Sequence, residues 1–533
     1  MNTRLRTDVL LLVAFCGFLF FYGLSAFGLL GADEPRYAQV AREMFERHDW
    51  ISPTLQGKPW LEKPALYYWQ AMAAYSVFGV SDRAARMPAA ADALLMITAI
   101  YLFLRRFRPG CEAEGALIAA GCVGTIGFAR GASTDMPLAA MFSIALLGWY
   151  AWYETRKSFG LAIFYLFLAL ATLAKGPVAI FFAGVILLTF IALKRDWQAI
   201  RASLWIPGIV LFLAVALPWY IAVQLRNPDF FRVFILEHNL GRFGQDLYHH
   251  RQPFWFYLPV LLLSLMPWTI WLILALADRL RTLWTHREEA LATRDSSWQG
   301  FLLIWLLVPV LFFSASHSKL PGYILPAIPA GALLVAEYLR SRQRESSKVS
   351  LWLVGLHAFV CGALIFVALS APTIQLNHHL VANKETYVAA AMGVLVMIGV
   401  TATVYRLGLR MLRPATMIPI VIGVGALLRS AAPAIDATQS ARPVAQAILS
   451  FSHEAVPVAL FHTTRQLEYG LGFYLNRPAQ PYESEQVPRV GHVLVVAQSF
   501  TAQFGDSLRG RRVSFLTSIP AQKLDLYWVG PAE

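Results

Sequence analysis

Apolar runs about twenty residues long, separated by short polar connections, repeat along most of the chain. An α-helix rises 1.5 Å per residue, so roughly 20 consecutive apolar residues cross a bilayer's hydrocarbon core. On that measure about 13 spans are expected, near residues 9–30, 84–104, 113–129, 136–153, 159–174, 177–193, 204–224, 254–277, 299–316, 322–340, 350–370, 386–407 and 414–432. The run at 9–30 is too long for the core of a signal peptide and lacks a cleavage pattern, so it is expected to persist as the first span. Beyond residue 433 the period changes. Short β-like runs at 456–461, 492–497, 512–516 and 525–529 alternate with helical stretches at 441–451, 465–475 and 499–508. The pattern predicts a mainly α, polytopic membrane domain over residues 1–433, followed by a small soluble α/β domain over 434–533.

Two polar-apolar patterns lie outside the spans, in the connection 31–83. Tyr37, Val40, Ala41, Met44 and Phe45 follow helical spacing, with Arg42, Glu43 and Glu46 on the other face. The aromatic-rich stretch 64–78 is too short to span comfortably, and both segments are expected to lie flat in the interface.

Composition excludes an ordinary soluble protein: 57% of the 533 residues are hydrophobic, 14% are charged, and the mean hydropathy is +0.53. The net charge of +13 could point to nucleic acid, but the basic residues gather in clusters in alternate connections. Examples are Arg4 and Arg6, Arg105, Arg106 and Arg108, Lys194, Arg195 and Arg201, and Arg406, Arg410 and Arg413. Such clusters mark cytoplasmic ends. The N-terminus is then cytoplasmic, and an odd number of spans leaves the C-terminal domain on the opposite side. The four cysteines, Cys16, Cys111, Cys122 and Cys361, lie in or beside apolar runs without metal-ligand spacing, so neither disulfides nor zinc are expected.

This topology sorts the chemistry to one face. Asp33, Glu34, Lys63, Asp135, Lys175, the segment 237–251 and Lys319 all fall on the non-cytoplasmic side. Transporters place coupling charges near the midplane on broken, repeated helices, and no such repeat is visible. Gly31-Ala32-Asp33-Glu34-Pro35-Arg36-Tyr37 follows the first span directly. Its acids fit an ionisable site at a membrane exit, or the capping of a helix with Pro at its start. Asp135 has the same two readings, and Lys175, in Ala174-Lys175-Gly176-Pro177, could simply snorkel to the interface. Residues 225–253 combine an apolar Phe230-Phe231 stretch with His238, Arg242, His249, His250 and Arg251, a mixture that suits a lid beside a lipid substrate. Adjacent histidines point in different directions in regular structure, which argues against a metal held by His249 and His250 together. Ser318-Lys319-Leu320-Pro321-Gly322-Tyr323-Ile324-Leu325-Pro326 sets a cation and a phenol at a heavily punctuated helix entry.

Carboxylates among cations and phenols at a membrane surface suit anionic lipid substrates. Cations compensate phosphate charge as a phosphate leaves, and a carboxylate can orient an acceptor or stabilise positive charge at a sugar carbon. Glycosyl transfer from a lipid-phosphate sugar fits.

Taken in order, the acidic pair after the first span, the Asp135 turn, the Lys175 motif and the 318–326 motif resemble the bacterial 4-amino-4-deoxy-L-arabinose lipid A transferases. These are C-type (GT-C) integral-membrane glycosyltransferases related to protein O-mannosyltransferases. The resemblance runs from about residue 9 to 340. It implies an inner-membrane enzyme that moves the aminosugar from undecaprenyl phosphate to lipid A phosphate on the periplasmic side, with resistance to polymyxin as the outcome. It further implies Asp33 as the catalytic candidate, with Glu34 and Asp135 beside it. Arg36, Tyr37, Glu62, Lys63, Lys175, His238, Arg242, Lys319 and Tyr323 are the candidates for binding the donor phosphate or substrate. The donor and acceptor glycolipids and membrane lipids are the expected partners, nucleic acid is not, and the chain is expected to be a monomer. Some relatives use a divalent cation, but no metal signature stands out here. A sister transferase with another lipid-linked sugar or a protein acceptor, and a lipid-sugar flippase, are the alternative readings.

Overall fold

The computed structural model describes residues 3–234, 252–285, 293–344, 350–377, 379–451, 456–482, 487–501, 503, 508 and 510–531. The first apolar run forms α1 (Thr3–Cys16), continued by a π-turn over Gly17–Phe21. After a turn come α2 (Asp33–Glu46), the two-stranded hairpin β1 (Thr54–Leu55) and β2 (Lys58–Pro59), and α3 (Leu66–Phe78). The next helices are α4 (Asp82–Phe107), α5 (Glu112–Ala120), α6 (Val123–Ala129), α7 (Asp135–Thr155), α8 (Ser158–Lys175) and α9 (Val178–Lys194). A short α10 (Trp197–Ser203) precedes α11 (Ile206–Arg226). Further helices cover Thr269–Thr285, Arg294–Ala315, Ile328–Arg344, Leu351–Asn377, Lys384–Leu407 and Leu412–Ala426.

Among the described residues, nine helices are long and apolar enough to cross a membrane, or eleven if each of two bent pairs is one span. The helix Thr3–Cys16 with its π-turn and the shorter Val178–Lys194 occupy the other two expected positions. Every predicted span therefore contains helix, but three differ from a straight rod. The first run leaves helical form at Phe21, because the backbone of residues 24–30 is bonded to side chains from elsewhere. The run 113–129 bends by 63° between α5 and α6, and the run 254–277 turns by 117° between Phe254–Ser264 and Thr269–Thr282.

The two breaks face each other. Val123 N donates to Met266 O at 3.0 Å, and a Cβ on Gly124 would lie 2.8 Å from Ser264 Cβ. Pro267, which has no N–H, sits in the second break. Backbone groups freed inside a bilayer must be satisfied by protein, and here one break supplies part of the other's need.

On the far side from Asp33, buried charge ties three helices. Arg108, 2% exposed at the end of α4, donates to Glu154 Oε1 of α7 at 2.7 Å, and Arg294 Nε reaches Glu154 Oε2 at 2.9 Å. Removing one partner of a buried pair leaves the other charge uncompensated. Because Arg108 keeps the Phe107 carbonyl and Asp295 at 3.8 Å, Glu154→Ala is expected to cost about 3 kcal/mol, the low end for a broken buried pair. Thermal unfolding in detergent checks it, with no change in the kcat of the folded fraction.

The apolar face of α2 does not meet lipid. Tyr37, Ala38, Val40, Ala41 and Met44 share one cluster with Tyr67, Tyr68, Ala71, Met72 and Tyr75 of α3. The opposite face of α2 meets the C-terminal domain: Arg42 Nη1 donates to Phe473 O at 3.0 Å and Asn476 Nδ2 to Glu46 Oε1 at 3.1 Å.

That domain is a mixed five-stranded sheet of β3 (Val458–Phe461), β4 (Ala479–Pro481), β5 (His492–Ala497), β6 (Val513–Ile519) and β7 (Leu524–Val529), in the order β4-β3-β5-β7-β6. β3 runs parallel to β4 and β5, and β7 antiparallel to β5 and β6. Alternate residues Val458, Leu460, Val493 and Val495 bury against the helices Arg442–Phe451 and Arg465–Leu475, whereas Ala459, Phe461, Leu494 and Val496 form the core of the other face. β4 escapes sequence patterning because it is three residues long and ends in proline, as edge strands tolerate. Of the expected helix at 499–508, the described residues show a 3-10 turn at Gln498–Phe500, and residues 502 and 504–507 lie outside the described residues.

Candidate active site

α2 begins at the acidic pair, and its N-cap, Ala32, makes no side-chain bond to the helix. The two acids diverge. Glu34 turns inward: its Oε2 accepts from Leu30 N at 2.8 Å and from Arg86 Nη2 at 2.6 Å, and its Oε1 accepts from Ala132 N at 2.8 Å. Asp33 turns outward, 56% exposed, with its Oδ1 2.5 Å from Arg36 Nη2.

Arg86, 1% exposed, fastens the loop ahead of the acids. Its guanidinium donates to the carbonyls of Leu24, Phe27 and Gly28, each at 2.8 Å. The C-terminal domain fastens the same loop from above. Asp436 Oδ1 accepts from Gly28 N and the Tyr474 hydroxyl from Leu29 N, both at 2.7 Å, and Leu30 bridges Ser440. The Tyr474 hydroxyl in turn donates to Asp82 Oδ1 at 2.7 Å, and Asp82 Oδ2 takes Arg442 Nη1 at 3.1 Å. A Cβ on Gly28 would lie 2.1 Å from Ser440 Oγ, so this close approach requires glycine.

Arg36 and Tyr37 form the wall beside Asp33. The Arg36 guanidinium lies 4.9 Å over Trp60, 5.2 Å over Tyr37 and 5.7 Å over Tyr469 of the C-terminal domain. Burial, then the charge of Asp33, pushes the Tyr37 phenol well above its usual pKa, with Arg36 opposing and Glu62 and Asp135 adding to the rise. The phenol therefore stays protonated, and Asp33, Arg36, Glu62 and Asp135 share one electrostatic neighbourhood around it. Lys63 is 8% exposed next to Glu62 and is not without a partner.

A second group adjoins the first. Asp135 opens α7 and Lys175 closes α8, where their side chains form an ion pair, and the Lys175 ammonium lies 5.0 Å over the Tyr323 ring. A Cβ on Gly322 would sit 2.9 Å from Asp135 Cγ, so the 318–326 segment packs directly on this carboxylate. Gly176, at φ +89°, ends α8 in a conformation that disfavours a side chain, and a Cβ there would also meet Phe234 at 2.6 Å. Lys319 is buried at the segment's start and donates to the carbonyls of Ser316 and Gln252, the latter at 3.1 Å. Burial lowers its pKa. Arg36 Nε, Trp60 Nε1, Tyr68 Oη and Tyr323 Oη are buried without a hydrogen-bond partner among the described residues. Buried polar atoms are normally satisfied, so these four donors are poised for a polar ligand.

Asp33, Arg36, Tyr37, Glu62 and Asp135 thus gather, with Lys175 and Tyr323 joined through Asp135. Glu34 belongs to the support beneath them. His238 and Arg242 lie outside the described residues, as do His249 and His250. Sequence reasoning passed over Arg86, Asp82, Trp60, Tyr469 and Tyr474. A charge inside an apolar run is a signal in its own right, and Arg86 carried it. Tyr469 and Tyr474 had no such signal, being ordinary aromatics of a soluble helix.

Among the described residues no three His, Cys, Asp or Glu side chains come together as a metal site. Asp33, Glu34 and Asp135 are each committed to an arginine or lysine.

A family model described as dolichyl-phosphate-mannose-protein mannosyltransferase matches residues 7–234. An undecaprenyl phosphate-alpha-4-amino-4-deoxy-L-arabinose arabinosyl transferase of Pseudomonas aeruginosa (strain UCBPP-PA14) is 31% identical over 384 residues, covering 70% of this chain and 68% of that one. The Aeromonas hydrophila protein of the same name is 28% identical over 529 residues, covering 90% and 92%. Among solved structures, ArnT from Cupriavidus metallidurans bound to undecaprenyl phosphate superposes with a TM-score of 0.77 at 21% identity, over 98% of this chain and 97% of that one. The fold is that membrane glycosyltransferase fold, and the chain belongs to the undecaprenyl phosphate-aminoarabinose arabinosyl transferase family.

Proposed function

We propose that the chain transfers 4-amino-4-deoxy-L-arabinose from undecaprenyl phosphate to a phosphate of lipid A at the periplasmic face of the bacterial inner membrane, so conferring resistance to polymyxin and cationic peptides. Asp33 carries the reading: it is the carboxylate held beside Arg36 and left open to solvent, while its neighbour Glu34 is consumed in fastening the loop. Family membership supports the donor, and the basic clusters in alternate connections support the orientation.

The reaction breaks the bond between the sugar's anomeric carbon and the donor phosphate oxygen, which keeps the electron pair. An ionised oxygen of the acceptor phosphate forms the new bond, so no proton need be removed and Asp33 need not act as a base. Its charge instead stabilises the positive charge that develops at the anomeric carbon, or holds the acceptor sugar in line. Arg36, Lys63 and Lys175 compensate the departing phosphate, and the Tyr323 and Tyr68 hydroxyls, unpartnered among the described residues, supply hydrogen bonds.

Purified protein incubated with the undecaprenyl-linked aminosugar and lipid A should yield modified lipid A by mass spectrometry. Lipid scrambling without turnover would sink the reading in favour of a flippase.

A further inference from the structure

Past Arg36, α2 forms one wall of a cavity of about 310 Å³, lined opposite by the C-terminal domain at Tyr469, Asn476 and Arg477 and below by the β1–β2 turn. Its polar atoms divide into two classes. Glu43 is saturated: it accepts from the Thr54 hydroxyl at 2.6 Å, Gln56 N at 2.7 Å, and Gly57 N and Gln39 Nε2 at 3.2 Å each. Glu46 takes Arg42 and Asn476, and Arg47 donates to Thr54 and to the Ser52 carbonyl. Two groups are left over. Gln39, 7% exposed, has its Oε1 buried and unpartnered, and Arg477 has Nε and Nη2 buried and unpartnered among the described residues. Burial also lowers the pKa of Arg477.

An unanswered acceptor and two unanswered cationic donors, on residues that line one cavity, describe a ligand with an anionic oxygen and a hydroxyl. The location says which ligand. Gln39 is three residues past Arg36, about 4.5 Å along the helix, and six past Asp33, about 9 Å. Tyr469 is a shared wall, lining this cavity while lying under Arg36 on its other side.

Resting on the transferase reading, we infer that this cavity is the acceptor subsite and holds the phosphorylated sugar head group of the acceptor glycolipid. Arg477 takes an anionic oxygen, Gln39 Oε1 accepts from a sugar hydroxyl, and Tyr469 lines the side of the cavity next to Arg36. The C-terminal domain thereby contributes directly to acceptor choice.

Full-length protein in detergent tests this with acceptor and donor varied separately. Arg477→Ala should raise the acceptor KM roughly 10- to 100-fold, as for a lost hydrogen bond to a charged group, with the donor KM and saturating kcat unchanged. Gln39→Leu should raise it less, Arg477→Lys should restore part of it, and alanine at the exposed Arg489 should change neither KM. An unchanged acceptor KM, or an equal rise in both, overturns the inference. If the unaltered protein shows no transfer, the transferase reading fails separately, and binding to lipid A vesicles then decides the subsite. Weaker vesicle binding by Arg477→Ala supports it and equal binding overturns it. Competition by inorganic phosphate against the vesicles tells whether the phosphate alone is recognised or the whole head group.

Discussion

Asp33→Asn is expected to lower transfer by roughly 10²- to 10³-fold, the range for losing one group that stabilises transition-state charge, while the protein remains folded in membranes. The side chain is 56% exposed and its bond to Arg36 spans one turn of helix. Such a pair contributes only about 0.3–0.5 kcal/mol, so stability should not move. Asparagine keeps the size and can still accept from Arg36, and what disappears is the negative charge facing the open site. Mass spectrometry of lipid A from cells producing the variant at normal level reads the outcome. Ordinary modification there would remove Asp33 from the chemistry.

Glu34→Ala should fail differently, although it stands next in sequence. Its carboxylate is the counter-charge of Arg86, which is buried, and it holds Leu30 N and Ala132 N. Truncation leaves a buried guanidinium uncompensated and two amides unpaired, a loss of about 3–5 kcal/mol. The expected result is a markedly lower melting temperature with activity falling alongside it. Glu34→Gln, which keeps the acceptor oxygen, should recover part of both. A fully stable but inactive Glu34→Ala protein would instead move Glu34 from support into the chemistry.

The contrast between these adjacent acids marks where sequence reading stops. Hydrophobic periodicity located the spans, because a bilayer imposes length and polarity on each segment independently. The alternation at 456–461 and 492–497 located the inner strands for a similar local reason. Topology could gather Asp33, Lys63, Asp135 and Lys175 on one side, yet it could not say which acid faces solvent. That depends on Arg86, 52 residues away, and on Asp436 and Tyr474, more than 400 away. Bends in spans 113–129 and 254–277 were equally hidden, since each is stabilised by contact with the other.

The fastening of residues 28 and 29 also sets a timetable for biosynthesis. Gly28 and Leu29 leave the ribosome early, and their partners Asp436 and Tyr474 follow 408 and 445 residues later. At about 5–20 residues per second this delay lasts roughly 20–90 s. Until then the turn before Asp33 lacks its upper bonds, however complete the membrane helices are. The turn before Asp33 is thus completed only when the last-made domain docks onto the first-made loop.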